Sequence, residues 1–247
     1  MLKHIHAEMP HEDLLYVADS AHAPYGCKTP EQIQQRSLLL AGFLVEQGAK
    51  ALVIACNTAT AAAAAMLRER FDMPIVGMEP AVKPAVAATR SGVVGVLATS
   101  GTLQSARFAA LLESYGQGVR VVTQAAHGLV ECVERGEIES PSTRALLWKY
   151  IEPMLQEGAD TLVLGCTHYP FLRQPIESLV GDQIAIIDTG SAVARHLRRR
   201  LESGGLVGAR GITGQARFWS TGDVGHGQRV FDRLWGRLTI DLAAFTR

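Results

Sequence analysis

Residues 161–170 read TLVLGCTHYP, an unbroken apolar run that stops at a glycine and then sets a cysteine, a threonine and a histidine in a row. A second run of the same design lies at residues 51–60, ALVIACNTAT. Short buried-looking strands that each end in a reactive side chain are the mark of a parallel sheet, whose ligands bind beyond the C-terminal strand ends.

Working outward, runs rich in Val, Ile and Leu alternate with longer helical patterns along the whole chain, which predicts an α/β fold with mostly parallel sheets flanked by helices. The expected strands are 14–18, 51–56, 74–78, 93–98, 120–124, 161–166, 184–188 and 216–220. Thr29-Pro30-Glu31-Gln32 reads as a helix start with a capping box, followed by an apolar stripe of Ile33, Leu38, Leu40, Phe43 and Leu44. Ser140-Pro141 opens another helix that runs to Gly158. Each long helix ends in Gly-Ala (Gly48-Ala49, Gly158-Ala159) just before a cysteine strand. Two α/β halves of related design, facing each other across a cleft, account for that repetition.

The chain has 247 residues, 47% of them hydrophobic, with 24 Lys+Arg against 24 Asp+Glu. Such a balance gives no field that would gather nucleic acid or an anionic membrane. Arg195, Arg198, Arg199 and Arg200 form the one basic cluster and read as a solvated helix face. No apolar run is long enough to span a bilayer, and the N-terminus lacks the apolar core of a secretory signal. The four cysteines include no CxxC pair, so neither a disulfide framework nor structural zinc is indicated, and a reducing cytoplasm is the default. GVVGVLATSGT lacks a full GxGxxG, which argues against a dinucleotide site.

Three kinds of thiol chemistry compete. A cysteine hydrolase would use Cys166 with His168 and leaves Cys56 unexplained. A redox pair needs bonded sulfurs, which opposite sides of a cleft preclude. A racemase needs two acid/base groups, one on each face of a carbon, and two cysteines supply them. His168, two residues past Cys166, is either a proton relay or a capping or solvated histidine. Asn57, Thr58 and Thr167, at helix starts, suit a carboxylate.

With YVADSAHAPYGCKTPEQI, ACNTAT, VERGEI and GCTHYP in order, the chain resembles bacterial glutamate racemases, members of the aspartate/glutamate racemase group. The resemblance implies a cofactor-independent, two-base interconversion of L- and D-glutamate that supplies D-glutamate for peptidoglycan, with no metal, nucleotide or pyridoxal site. It casts Cys56 and Cys166 as the bases, with His168 and Glu134 as helpers. Read from sequence alone, Glu134 is an exposed helix residue. Tyr25, Gly26, Asn57, Thr58, Thr167 and, more weakly, Thr102 match substrate-holding positions; alone, Thr102 reads as a helix cap. Cys27 and Cys132 have no role in the pattern.

The resemblance further implies glutamate as the small-molecule partner, a homo-oligomer (a dimer), and two domains. One domain is residues 1–80 with 191–247 and the other is 81–190. The family pattern opens with a strand ending in an Asp-Ser-Gly turn, and this chain begins just after it, at Met1-Leu-Lys-His-Ile. The expectation is therefore a misassigned start or a truncation, with reduced stability and activity for the 247-residue form. The alternatives are a racemase of another small acid, such as aspartate, and an inactive fragment.

Overall fold

The computed structural model describes residues 1–208, 211, 213–235 and 242–246. In chain order the elements are α1 Leu2–Glu8, β1 Leu14–Ala18, α2 Pro30–Glu46, β2 Leu52–Val53, α3 Asn57–Arg70, β3 Ile75–Val76, α4 Val82–Ala88, β4 Val93–Ala98, α5 Ser100–Leu103 and α6 Ala106–Tyr115. They continue with β5 Arg120–Ala125, α7 Leu129–Glu134, α8 Pro141–Gln156, β6 Thr161–Gly165, α9 Arg173–Val180, β7 Ala185–Ile187, α10 Gly190–Ser203, β8 Ala216–Ser220, α11 Val224–Trp235 and β9 Leu242–Ala244.

The chain divides into two compact units: Met1–Ala55 with Ala62–Gly77 and Gly190–Arg247, and Cys56–Ala61 with Met78–Thr189. The segment Cys56–Ala61, expected in the first domain, groups with the second unit. Two side chains of the first turn of α3 explain why. Thr58 hydrogen-bonds to Thr99 and Thr102, and Thr60 Oγ1 accepts from the Met78 N–H at 3.0 Å.

In the second unit four parallel strands lie in the order β5-β4-β6-β7. All five residues of β6 are buried, as are the last five of β4. That is why these strands read as continuous apolar runs rather than as alternating ones. Val94, Val96, Ala98 and Val163 pack with Val82, Ala85 and Phe108 of the covering helices. Each fully buried Val or Phe side chain is worth roughly 1.5–3 kcal/mol.

The first unit holds a parallel sheet β1-β8-β9 and a parallel pair β2-β3. Ala41, Leu52, Ala63, Leu67 and Ile75 form its core between α2, α3 and the short strands. The alanine run of α3 therefore serves close packing, with Ala63 and Ala64 essentially inaccessible. Two expected strands, 51–56 and 74–78, shrink to two residues each, and β9 was not anticipated. Three residues, Leu-Ala-Ala, carry no periodicity to detect.

The capping box at Thr29 forms as expected: Thr29 Oγ1 accepts from Gln32 N–H at 3.3 Å, and Gln32 Oε1 from Thr29 N–H at 3.1 Å. The stripe on α2 differs from the reading. Ile33, Ser37 and Ala41 are buried, whereas Leu38 is 38% exposed, because residues spaced by four share a face and Leu38 falls off it. The two Gly-Ala pairs are structurally equivalent. Gly48 and Gly158 take φ of 89° and 88°, and the N–H groups of Ala49 and Ala159 close back on Leu44 and Met154 carbonyls at 3.0 Å each. Both helices thus end in the left-handed glycine closure that only glycine adopts without strain. On α10 the buried side is Val193, Ala194, Leu197 and Leu201, leaving Arg195, Arg198, Arg199 and Arg200 exposed. Among the described residues, no helix is long and apolar enough to cross a membrane.

Candidate active site

Both strand-end cysteines belong to the second unit. Cys166 follows the last residue of β6 and is 8% exposed. The turn behind it is anchored by Tyr169, fully buried, whose hydroxyl donates to the Ala126 carbonyl at 3.1 Å and whose N–H donates to the Cys166 carbonyl. Gly165 is required by space. A Cβ there would sit 2.9 Å from the Leu97 oxygen and 3.0 Å from Ala98 Cβ on the neighbouring β4.

Cys56 occupies the N-cap of α3. Its carbonyl accepts from Thr60 N–H at 2.9 Å, and its sulfur accepts from Ala59 N–H at 3.4 Å. A sulfur here lies at the positive end of a helix, where negative charge is favoured. Burial nevertheless dominates. It pushes the Cys56 thiol up to about 11, with the neighbouring Cys166 charge adding to the rise and the Ala59 N–H opposing it. Cys56 is partly buried, and its surroundings favour the thiol over the thiolate.

His168 bridges two acidic groups. Its Nδ1 lies 3.8 Å from Cys166 Sγ, and its Nε2 lies 2.7 Å from Glu134 Oε1. Burial alone would lower its pKa, but the hydrogen bonds to Cys166 and Glu134 outweigh that and carry it up to about 10. The imidazole is therefore a cation near neutral pH, held against the Cys166 sulfur. Such a cation stabilises negative charge on that sulfur. The site is asymmetric: one thiol carries its proton, and the other faces an imidazolium. Glu134, the last residue of α7, turns out to be a partner of His168 rather than a freely solvated helix residue.

Three hydroxyls close a ring beside Cys56. Thr58 Oγ1 lies 2.7 Å from Thr99 Oγ1 and 3.1 Å from Thr102 Oγ1, and Thr99 and Thr102 are 3.0 Å apart. The cap of α5 is Thr99, not Thr102: Thr99 Oγ1 accepts from the Thr102 N–H. Thr99 was missed in the sequence, although a threonine three residues before another at a strand end is a capping signal. Asn57 is 5% exposed, and its Oδ1 is buried without a hydrogen-bond partner, an acceptor lacking a donor. Thr167 lies between Cys166 and His168, partly buried.

Tyr25 and Gly26 lie in the first unit, in a single 3₁₀ turn, Tyr25–Cys27. The Tyr25 hydroxyl donates to Asp19 Oδ2 at 2.5 Å. Cys27 is exposed, with its sulfur 3.7 Å from the Pro24 carbonyl. Cys132 is buried on α7, 3.7 Å from Arg135 Nη2.

The sequence pattern of the Asp/Glu/Hydantoin racemase family matches residues 1–197. The chain belongs to this family. It is 58% identical over 237 residues to a protein named glutamate racemase from Ectopseudomonas mendocina (strain ymp), across 96% of this chain and 90% of that relative. The fold matches a crystal structure of glutamate racemase isoform RacE1 from Bacillus anthracis, with a TM-score of 0.88 at 30% identity, over 99% of this chain and 92% of that one. It also matches Escherichia coli glutamate racemase solved with L-glutamate and the activator UDP-MurNAc-ala, with a TM-score of 0.86 at 27% identity. That match covers 100% of this chain and 94% of the other.

Proposed function

We infer that this racemase interconverts L- and D-glutamate by a two-base mechanism in which Cys56 and Cys166 exchange protons with the α-carbon from opposite faces. The observation that carries the residue assignment is the contrast between the two thiols: Cys56 at the start of α3 with its sulfur 3.4 Å from the Ala59 N–H, and Cys166 with its sulfur 3.8 Å from Nδ1 of a His168 that is bonded to Glu134.

In one direction the Cys166 thiolate takes the α-proton, and the electron pair left on carbon is delocalised into the α-carboxylate. Cys56 S–H then gives its proton to the other face, leaving a Cys56 thiolate beside the N–H of Ala59. The reverse direction exchanges the roles. His168 stabilises charge on Cys166, and Glu134 holds the imidazole in orientation and keeps it protonated. The bared Asn57 Oδ1 suits the substrate ammonium, an N–H donor, and the Thr58 and Thr102 hydroxyls and Thr167 suit a carboxylate. The family resemblance adds Tyr25 and Gly26 as substrate-holding residues. Because the phenolic proton of Tyr25 is committed to Asp19, Tyr25 can offer a carboxylate only its main chain.

The family resemblance supports D-glutamate supply for peptidoglycan as the role. A homodimer and a cytoplasmic setting belong to the same proposal, and sedimentation measures the first. The direct test is exchange of the α-proton of L- and D-glutamate with solvent deuterium, with L-aspartate run alongside and without added cofactor. Exchange with both glutamate enantiomers is expected. A requirement for pyridoxal phosphate, or exchange with aspartate alone, would overturn the reading.

A further inference from the structure

One carboxylate in the first unit is more heavily bonded than its place on a loop requires. Asp19 follows β1 directly, and its side chain is 8% exposed. Its Oδ1 accepts from Arg36 Nη2 at 2.6 Å and from Thr221 Oγ1 at 2.9 Å, with His22 Nδ1 at 3.1 Å. Its Oδ2 accepts from Arg36 Nε at 3.0 Å and from the Tyr25 hydroxyl at 2.5 Å. An ionised carboxylate has about four lone-pair positions. Here they are filled, so Asp19 keeps no acceptor for a substrate proton and is unsuited to act as a base.

What the arrangement does is join four parts of the fold at one point. Arg36 comes from the middle of α2, Thr221 from the end of β8, and His22 and Tyr25 from the two short 3₁₀ turns between β1 and α2. β8 lies parallel to β1 with Ala18 opposite Ser220, and the Thr221 N–H closes on the Ala18 carbonyl at 3.0 Å. The Thr221 hydroxyl also accepts from the Ala21 N–H at 3.2 Å, so the sheet edge and the loop are pinned together. Arg36 donates two parallel N–H bonds, a fork that fixes the direction of the carboxylate as well as its charge. Tyr25 therefore hangs from a rigid, charge-balanced anchor. Burial would raise the Asp19 pKa, but the bonds from Arg36, Tyr25 and Thr221 outweigh it and hold the group below its ordinary range.

We propose that Asp19 and Arg36 are a positioning pair that orients Tyr25 and the Tyr25–Gly26 main chain for glutamate, setting substrate affinity and taking no part in proton transfer. The proposal rests on the assignment of Tyr25 and Gly26 to substrate holding. Both thiols lie in the other unit, so loss of the anchor leaves their chemistry in place.

The test is a cycle of Asp19→Asn, Tyr25→Phe and the double variant, with Arg36→Lys beside it. KM and kcat are measured for both enantiomers, glutamate Kd by calorimetry, and the thermal midpoint for each protein. The expected result for Asp19→Asn is a rise in KM and Kd of about 10-fold, with kcat changed by less than about 3-fold, and a double variant no worse than Asp19→Asn alone. Arg36→Lys keeps the charge but not the fork and should fall between wild type and Asp19→Asn. A lowered midpoint with unchanged KM and Kd would make the cluster purely structural and overturn the proposal. Fully additive effects of Asp19→Asn and Tyr25→Phe would also overturn it, since Asp19 would then not act through Tyr25. Should Asp19→Asn fail to fold, Thr221→Val, which removes one of the bonds, must show the same rise in smaller measure. Wild-type protein that binds glutamate without exchanging its α-proton would sink the racemase reading and leave this one standing. Wild-type protein that binds no glutamate would sink both.

Discussion

His168 Nε2 stands 2.7 Å from Glu134 Oε1, a charge-assisted contact that reaches across 34 residues of chain to fix the imidazole beside Cys166. Glu134→Gln keeps the shape and removes the charge. An opposite charge at this range shifts a pKa by roughly 1–3 units, so the His168 titration followed by NMR should fall by about that much from about 10. Racemisation should drop roughly 10-fold or more, a part of the roughly 10²–10⁴-fold that a positioned acid/base group contributes. A His168 midpoint that does not move would mean that Glu134 is a bystander.

The same pair sets a pH window for stability. The folded pKa of His168 is raised from 6.5 to about 10, so the native state binds the proton more tightly than the unfolded chain does. That contribution is fully present below about pH 6.5 and is lost as the pH rises towards 10. Thermal midpoints should therefore decline between these limits, and the decline should be shallower in Glu134→Gln. Equal slopes in both proteins would refute the coupling.

Cys56→Ser and Cys166→Ser should each abolish racemisation, because a hydroxyl is a far weaker acid than a thiol. Cys27→Ser, at an exposed sulfur, should leave kcat and KM unchanged. Cys132→Ala should cost about 1 kcal/mol of stability from its buried site while keeping kcat. Substantial turnover in either Cys56→Ser or Cys166→Ser contradicts the two-thiol assignment.

Gly165→Ala should be costly out of proportion to one methyl group. The added Cβ meets the Leu97 oxygen at 2.9 Å, a backbone atom held in the β4–β6 ladder, so the strand end must move and Cys166 with it. Overpacking of this kind costs typically 1–3 kcal/mol. Denaturation should show that loss together with reduced kcat, whereas full activity would show that the thiol tolerates displacement.

Thr102→Val preserves volume while removing one hydroxyl from the ring with Thr58 and Thr99. Thr102 is 2% exposed, so its former partners are left short of a bond at a cost of roughly 1–3 kcal/mol. The midpoint should fall and KM for glutamate should rise, and a change in midpoint alone would confine the ring to a structural role.

Local chemistry written along the chain determined a good part of this protein. The capping box at Thr29, the Ser140 cap and the twin Gly-Ala helix ends depend on neighbours a few residues away, and all appear in the structure. Continuous apolar runs foretold β4 and β6 because strands buried on both faces need no alternation. The two cysteines stood out for the same reason, each polar group ending an apolar run.

Tertiary structure alone decided the partnerships that make those groups chemical. Glu134 meets His168 across 34 residues, Thr58 meets Thr99 and Thr102 across more than 40, and Asp19 meets Thr221 across 202. Nothing in local spacing encodes which distant side chain folds back onto which. The pKa values follow the same division, since burial drives Cys56 up and bonded partners drive His168 up. Burial and partners exist only once the chain is folded, and it is they that raise the Cys56 thiol and set Cys166 beside His168.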